Sequence, residues 1–74
     1  MAKFYSIVVV MKSGRTLVGQ LKPYNEGMVE HYRRTFKLIE THISYNITTV
    51  DGEETYFLID NMESIAIKIT EKDE

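Results

Sequence analysis

The residues best suited to hold a ligand fall in one short stretch: Tyr24, Asn25, His31, Tyr32, Arg33 and Arg34. Aromatic rings stack on bases, guanidinium groups grip phosphates as a two-pronged fork, and a carboxamide reads a base edge. Together these types predict a nucleotide pocket, strengthened if copies of the chain repeat it around a ring. The same residues also have a plainer use. Tyr32 would pack in the core, and the arginines would pair with Glu30 or with Asp51 of a neighbouring subunit. Tyr45 and Asn46 make a second candidate. Neighbours on a strand point to opposite faces, so one of that pair lines the core.

Catalytic chemistry finds less support. His31 and His42 stand far apart in a chain with no cysteine, and neither belongs to a His-Glu-x-x-His pair. That spacing argues against a metal site. Ser6, Ser13, Ser44 and Ser64 sit in no nucleophile elbow. Glu53 and Glu54 are adjacent, so on a strand they diverge and read as solvated turn charges. The expectation is a protein that is not an enzyme and has no cofactor and no metal.

What must position these groups is small. Seventy-four residues make one domain, expected over 1–70 with an acidic, frayed tail at 71–74. A chain this short buries only about 60% of its unfolded surface. With no disulfide to staple it, self-association is the expected support. The missing cysteines suit a cytoplasmic protein, or a phage protein acting in the cytoplasm of its host. Ile7–Met11 is too short to span a membrane, and no signal peptide is legible.

The net charge of −2 argues against a non-specific DNA coat. Residues 1–37 carry seven basic side chains against two acidic ones, a net of +5, and residues 38–74 two against nine, a net of −7. Such a division makes a dipolar surface or lets subunits meet basic face to acidic face, unless it is simply spread over solvated surface.

Along the chain, Phe4–Met11 is β-branched and aromatic and reads as a strand buried on both sides. Lys12–Arg15 makes a turn around Gly14. Thr16–Lys22 is a second strand, with Leu17, Gly19 and Leu21 on one face, and Pro23 ends its pairing. A glycine inside a strand marks a sharp bend or a close backbone approach. Residues 26–35 read as a short helix or a long loop. Met28, Val29, Tyr32, Phe36 and Ile39 fit a helical stripe, but Phe36–Ile39 equally opens a strand, and one is expected from about Thr35. Ile43, Tyr45 and Ile47 then alternate, and Asp51-Gly52 predicts a type I′ hairpin turn. Thr55–Ile59 and Ser64–Thr70 are the last strands, the latter with Ile65, Ile67 and Ile69 on one face. The sum is a mainly β chain: five strands in a strongly bent small barrel of SH3-like or OB-like type.

Lys12, Gly14, Gly19, Leu21, Asn25 and Met28 carry a more specific likeness. Their series resembles the first motif of the Sm-like proteins (Sm, LSm and Hfq). Asp51-Gly52-Glu53 falls where that family has its later hairpin turn, and residues 57–65 resemble a degenerate second motif. Three departures stand out. Met1–Lys3 leaves no room for the helix that usually precedes the first strand, Val29 replaces an Asn, and Ile59-Asp60 replaces an Arg-Gly or Lys-His pair. The segment between Met28 and Asp51 is also longer than usual. The family uses the last two departed positions to contact RNA. The resemblance therefore implies the barrel and its ring assembly, without the residues for standard uridine-tract contacts.

The expected function is a homo-oligomer, joined through edge strands, that binds short RNA or a small nucleotide, cyclic ones included. The size and the rewritten motif would suit a phage-type protein that sequesters a signalling nucleotide of its host. The alternative is a protein-interaction module that inhibits or scaffolds a host partner. No membrane is expected among its partners.

Overall fold

The computed structural model describes residues 2–39 and 43–73. Its hub is β1, Ala2–Met11. On one edge β1 pairs antiparallel with β6, Met62–Lys72, along its whole length. On the other it pairs with β2, Thr16–Val18, and β3, Lys22–Pro23. Tyr5, Ser6 and Val9 of β1 are buried, while Ile7, Val8, Val10 and Met11 are half-buried. Adjacent Tyr5 and Ser6 point to opposite faces, so the strand is covered on both sides at that level.

The second strand expected over Thr16–Lys22 is two pieces. Val8 lies opposite Val18, but Tyr5 lies opposite Lys22, so the outer chain has one residue more than β1 between these points. That extra residue is a bulge, which bends the chain and releases it from the ladder. Leu21 consequently leaves the face of Leu17 and is exposed. Pro23 does not end the pairing, because it stands opposite Phe4 and the next N–H, that of Tyr24, donates to the Lys3 carbonyl at 2.9 Å.

Gly19 is the point of departure. Its N–H donates to the Ile7 carbonyl at 2.7 Å, and it forms a single bridge with Thr49 on the second sheet. A Cβ there would stand 3.1 Å from the Ile7 oxygen and 3.2 Å from Ile47 Cδ1.

The second sheet is a hairpin of β4, Ser44–Thr48, and β5, Glu54–Leu58. A 3-10 turn at Ile59–Asn61 leads on to β6. Besides the bridge, Gln20 N–H donates to the Thr48 carbonyl and Val50 N–H to that of Val18. The fold is mainly β, in two antiparallel sheets that do not close into a barrel among the described residues. The core lies between them: Val9, Leu17, Ile47 and Phe57, with Ile7, Met11, Tyr45, Ile59, Met62 and Ile65 around it.

Both hairpin turns are of one kind. Gly14 N–H donates to the Met11 carbonyl and Met11 N–H to that of Arg15, and Thr49, Gly52 and Glu53 repeat the pattern. Only the glycines have positive φ, 92° at Gly14 and 86° at Gly52. The Asp51-Gly52 turn is therefore not type I′. Three residues are looped out rather than two, and such loops use a type I turn followed by a left-handed glycine. The Thr49 hydroxyl donates to the Asp51 carboxylate, which holds that carboxyl below its ordinary range with help from the backbone of Glu53.

The ambiguous segment is a helix, α1, over Glu26–Lys37. Asn25 caps it, its Oδ1 accepting from Met28 N–H at 3.1 Å. Glu26 opens it and Arg34 and Lys37 close it, which suits the helix dipole. Its inner stripe is Val29, Tyr32 and Phe36, with Met28 turned outward. The expected strand from Thr35 does not form: the helix continues past it, and the Thr35 hydroxyl bonds back to the His31 carbonyl at 2.9 Å. β4 starts only at Ser44, so Ile43 falls outside the alternation and is 83% exposed. Ile65 and Ile67 share the half-buried face of β6, and Ile69 is exposed. β6 runs two residues into the expected tail, placing Glu71 and Lys72 opposite Lys3 and Ala2. Glu74, the last residue of that tail, lies outside the described residues.

Gly19→Val should lower stability by about 2–3 kcal/mol, because the Ile7 oxygen is backbone held by the same hydrogen bond and cannot give way. Urea unfolding measures it; a variant as stable as the parent would show that the approach is not close.

Candidate functional site

Beyond the Gly19–Thr49 bridge the two sheets separate. β3 stays with β1, β4 stays with β5, and a cleft opens between them. Its volume is about 310 Å³. β1 supplies Tyr5, Ser6 and Ile7, and the bulged segment supplies Gly19, Gln20 and Lys22. α1 supplies Tyr32, and β4 supplies Tyr45, Asn46, Ile47 and Thr48.

Rings hold this arrangement together. Tyr5 and Tyr32 lie 6.1 Å apart between centroids, Tyr32 and Phe36 6.0 Å, Phe36 and Tyr45 6.1 Å, and Tyr45 and Phe57 6.2 Å. The chain of rings links β1, α1, β4 and β5. These separations suit tilted and edge-on aromatic pairs. Burial of the Tyr45 phenol, and secondarily the nearby Tyr32 phenol, raises the Tyr45 pKa above its ordinary value. Lys22 is the cation of the lining, and no carboxylate shares it. A wall of tyrosines, two carboxamides, the Ser6 and Thr48 hydroxyls and one ammonium can take a flat, polar-edged ligand bearing negative charge.

The six residues first singled out do not form one pocket. Tyr32 alone among them lines the cleft. Tyr24 is half-buried beneath the Lys3 ammonium, 4.4 Å from its ring centroid. Asn25 is engaged as the helix cap. His31 is exposed, its ring edge-on to Tyr32 at 5.7 Å. Arg33 pairs with Glu30 one turn back and borders a separate groove against β6. Arg34 is exposed in the last helical turn. Tyr45 and Asn46 both line the cleft, one half-buried and the other exposed. Sequence reasoning missed Tyr5, Ser6, Gln20 and Lys22. Gly19 was the available signal, since a strand that bends there exposes what flanks the bend.

Among the described residues no three His, Cys, Asp or Glu side chains are placed to share a metal ion, and His42 lies outside them. No described helix is long and apolar enough to cross a membrane. No family model, curated protein or solved structure matches the chain.

The Tyr45 shift sets an alkaline limit. A raised pKa means that the neutral phenol stabilises the fold below the ordinary tyrosine pKa, and that this stability is lost as pH rises through the raised value. Tyr45→Phe should therefore remove a tyrosinate absorbance step that appears above the ordinary tyrosine range. A spectrum whose late step survives in Tyr45→Phe would assign it elsewhere.

Proposed function

We propose that the chain is a non-enzymatic, Sm-like or SH3-like small barrel that binds a nucleotide-type ligand and assembles with copies of itself. The connectivity supports the barrel reading. With β2 and β3 counted as one bent strand, the order runs β6, β1, β2/β3, β4, β5, and the 3-10 turn carries β5 back toward β6.

The cleft carries the ligand reading. About 310 Å³ lies at the small end of ligand pockets and suits one nucleotide. Tyr32 and Tyr45 offer aromatic surface, Gln20 and Asn46 offer amide groups, and Lys22 offers a phosphate its counter-charge. This reading moves the site from the helix arginines to the cleft. Short RNA and a small nucleotide, cyclic or linear, are its two forms. RNA affinity falls steeply with added salt as many counterions return, and that of a small nucleotide much less.

Assembly is supported by open strand edges. Among the described residues β5 pairs only with β4 and β6 only with β1. Tyr56 and Leu58 are exposed on β5, large apolar groups beside unpaired backbone. The same edge favours a second reading, a module that docks another protein by strand addition. A pull-down that yields one protein and survives nuclease treatment would select it.

Titration calorimetry with nucleotide monophosphates, cyclic dinucleotides and a uridine oligomer tests the ligand reading. Lys22→Gln should weaken binding about fivefold, as for one exposed ion pair, while Arg33→Gln and Arg34→Gln should leave it nearly unchanged. The opposite pattern would return the site to the helix. Light scattering should give a multiple of the chain mass, reduced by Leu58→Lys; a monomer at every concentration would end the assembly reading.

A further inference from the structure

Among the described residues β4 has a full ladder on one side only, and on the other it is met just at its end, where the Thr48 carbonyl accepts from Gln20 N–H. β5 holds one edge from Ser44 opposite Leu58 to Thr48 opposite Glu54. In an antiparallel strand the N–H and C=O of a residue point to the same edge, and successive residues point to opposite edges. The Thr48 carbonyl accepts from Gln20 N–H, so Thr48 faces the first sheet. Asn46 stands two residues before it and faces the same way. At that level the first sheet has withdrawn, because the chain after Gln20 bulges and rejoins β1 at Lys22. The peptide N–H and C=O of Asn46 therefore look into the cleft, where no backbone partner meets them among the described residues.

A donor and an acceptor side by side on a strand edge call for a ligand edge with the reverse pair. A second strand would supply one, but β3 is held by β1. A nucleobase supplies it in one flat unit, with ring nitrogen or carbonyl beside amino or imino hydrogen. Resting on the nucleotide reading above, we propose that the Asn46 main chain reads the Watson–Crick edge of a nucleobase in the cleft. The base face then lies along Tyr32 and Tyr45, and Lys22 meets a single phosphate. Adenine and uracil both carry such an edge, so the device selects for an unpaired base rather than for one letter. A base already paired in a duplex presents nothing to Asn46. The ligand class is a free nucleotide or one single-stranded residue with one phosphate near the base, since the lining holds one cation.

Titration calorimetry with adenosine and uridine 5′-monophosphates, against their N1-methyl and N3-methyl counterparts, tests the edge. Methylation blocks it and leaves the phosphate in place; N3-methyluridine stays neutral whereas N1-methyladenosine is cationic, so the uridine pair is decisive. The methylated forms should bind about tenfold more weakly or worse, the scale of an unmade buried hydrogen bond. A second arm uses the backbone. Asn46 N–H is outside the β4–β5 ladder, and an edge strand accepts proline at such a position. Asn46→Pro and Asn46→Ala both lose the carboxamide, but only Asn46→Ala keeps the N–H, so Asn46→Pro should bind about tenfold more weakly than Asn46→Ala. Equal binding of methylated and unmethylated nucleotides would overturn the edge contact while the nucleotide reading stands. If no nucleotide binds, the reading itself falls and the inference with it. Should Asn46→Pro fail to fold by circular dichroism, the methylated ligands alone decide.

Discussion

One strand must serve two sheets, and it can do so only where it has no side chain. At Gly19 the backbone N–H reaches the Ile7 carbonyl at 2.7 Å while the position of the missing Cβ is pressed by the Ile7 oxygen on one side and Ile47 on the other. Ile47 belongs to the second sheet, so this contact joins the halves of the core. Val9, Leu17, Ile47 and Phe57 gather around the same level. No disulfide shares the task in a chain without cysteine. The bulge that follows Gly19 and the cleft beyond it are consequences of that single approach. A chain bent this tightly cannot stay in register with both neighbours, and the place where it loses one of them is the place left open.

The rings compensate for that opening. α1 has a single fully buried residue, Val29, so little else fastens it. Tyr32 and Phe36 tie it to Tyr5 and Tyr45, and each aromatic pair contributes about 0.5–1.5 kcal/mol beyond the area it buries. The same rings form the wall of the cleft. A ligand lying on Tyr32 and Tyr45 would contact the groups that dock the helix, and its occupancy would then be coupled to helix attachment. Desolvation of the Tyr45 phenol is the cost of using a polar-tipped ring for both tasks.

Much of the fold was legible because strand periodicity depends on neighbours in sequence. β1 shows in its continuous β-branched run, and β4 and β6 in their apolar alternation. What was not legible depends on partners far along the chain. Phe36 stays in the helix, where its ring meets Tyr45 edge-on, a partner nine residues away that local periodicity does not show. Leu21 obeys period two in the sequence and loses its face to a bulge that only the β1 registers reveal. The loop length at Asp51-Gly52, set by where Thr49 and Glu53 pair, overrides the dipeptide's own preference. The candidate site differs from the first reading for a related reason. Asn25 and Arg33 have the right chemistry for a nucleotide but meet local needs first, a cap and an ion pair one turn away. Tyr5, the Gln20–Lys22 segment and Asn46 lie far apart in sequence and share the cleft only because the chain bends at Gly19.

Charge shows the same limit from another side. The basic first half and acidic second half do not become two faces, because β6 is laid along β1. Lys3 stands opposite Glu71, and Arg15 lies near Asp51 at the hairpin tips, where it adds to the depression of that carboxyl. Topology thus mixes a division that the sequence keeps apart. What matters for a ligand is the local remainder. Although the chain is net acidic, the cleft lining contains Lys22 and no carboxylate. Low-dielectric walls concentrate the field of a lone charge, so the cleft can attract an anion that the molecule as a whole repels. One ammonium fixes little beyond the position of one phosphate. In the proposed reading, discrimination would then fall to the parts of the cleft that have geometry: the ring faces, and the strand edge that the bend at Gly19 left unpaired.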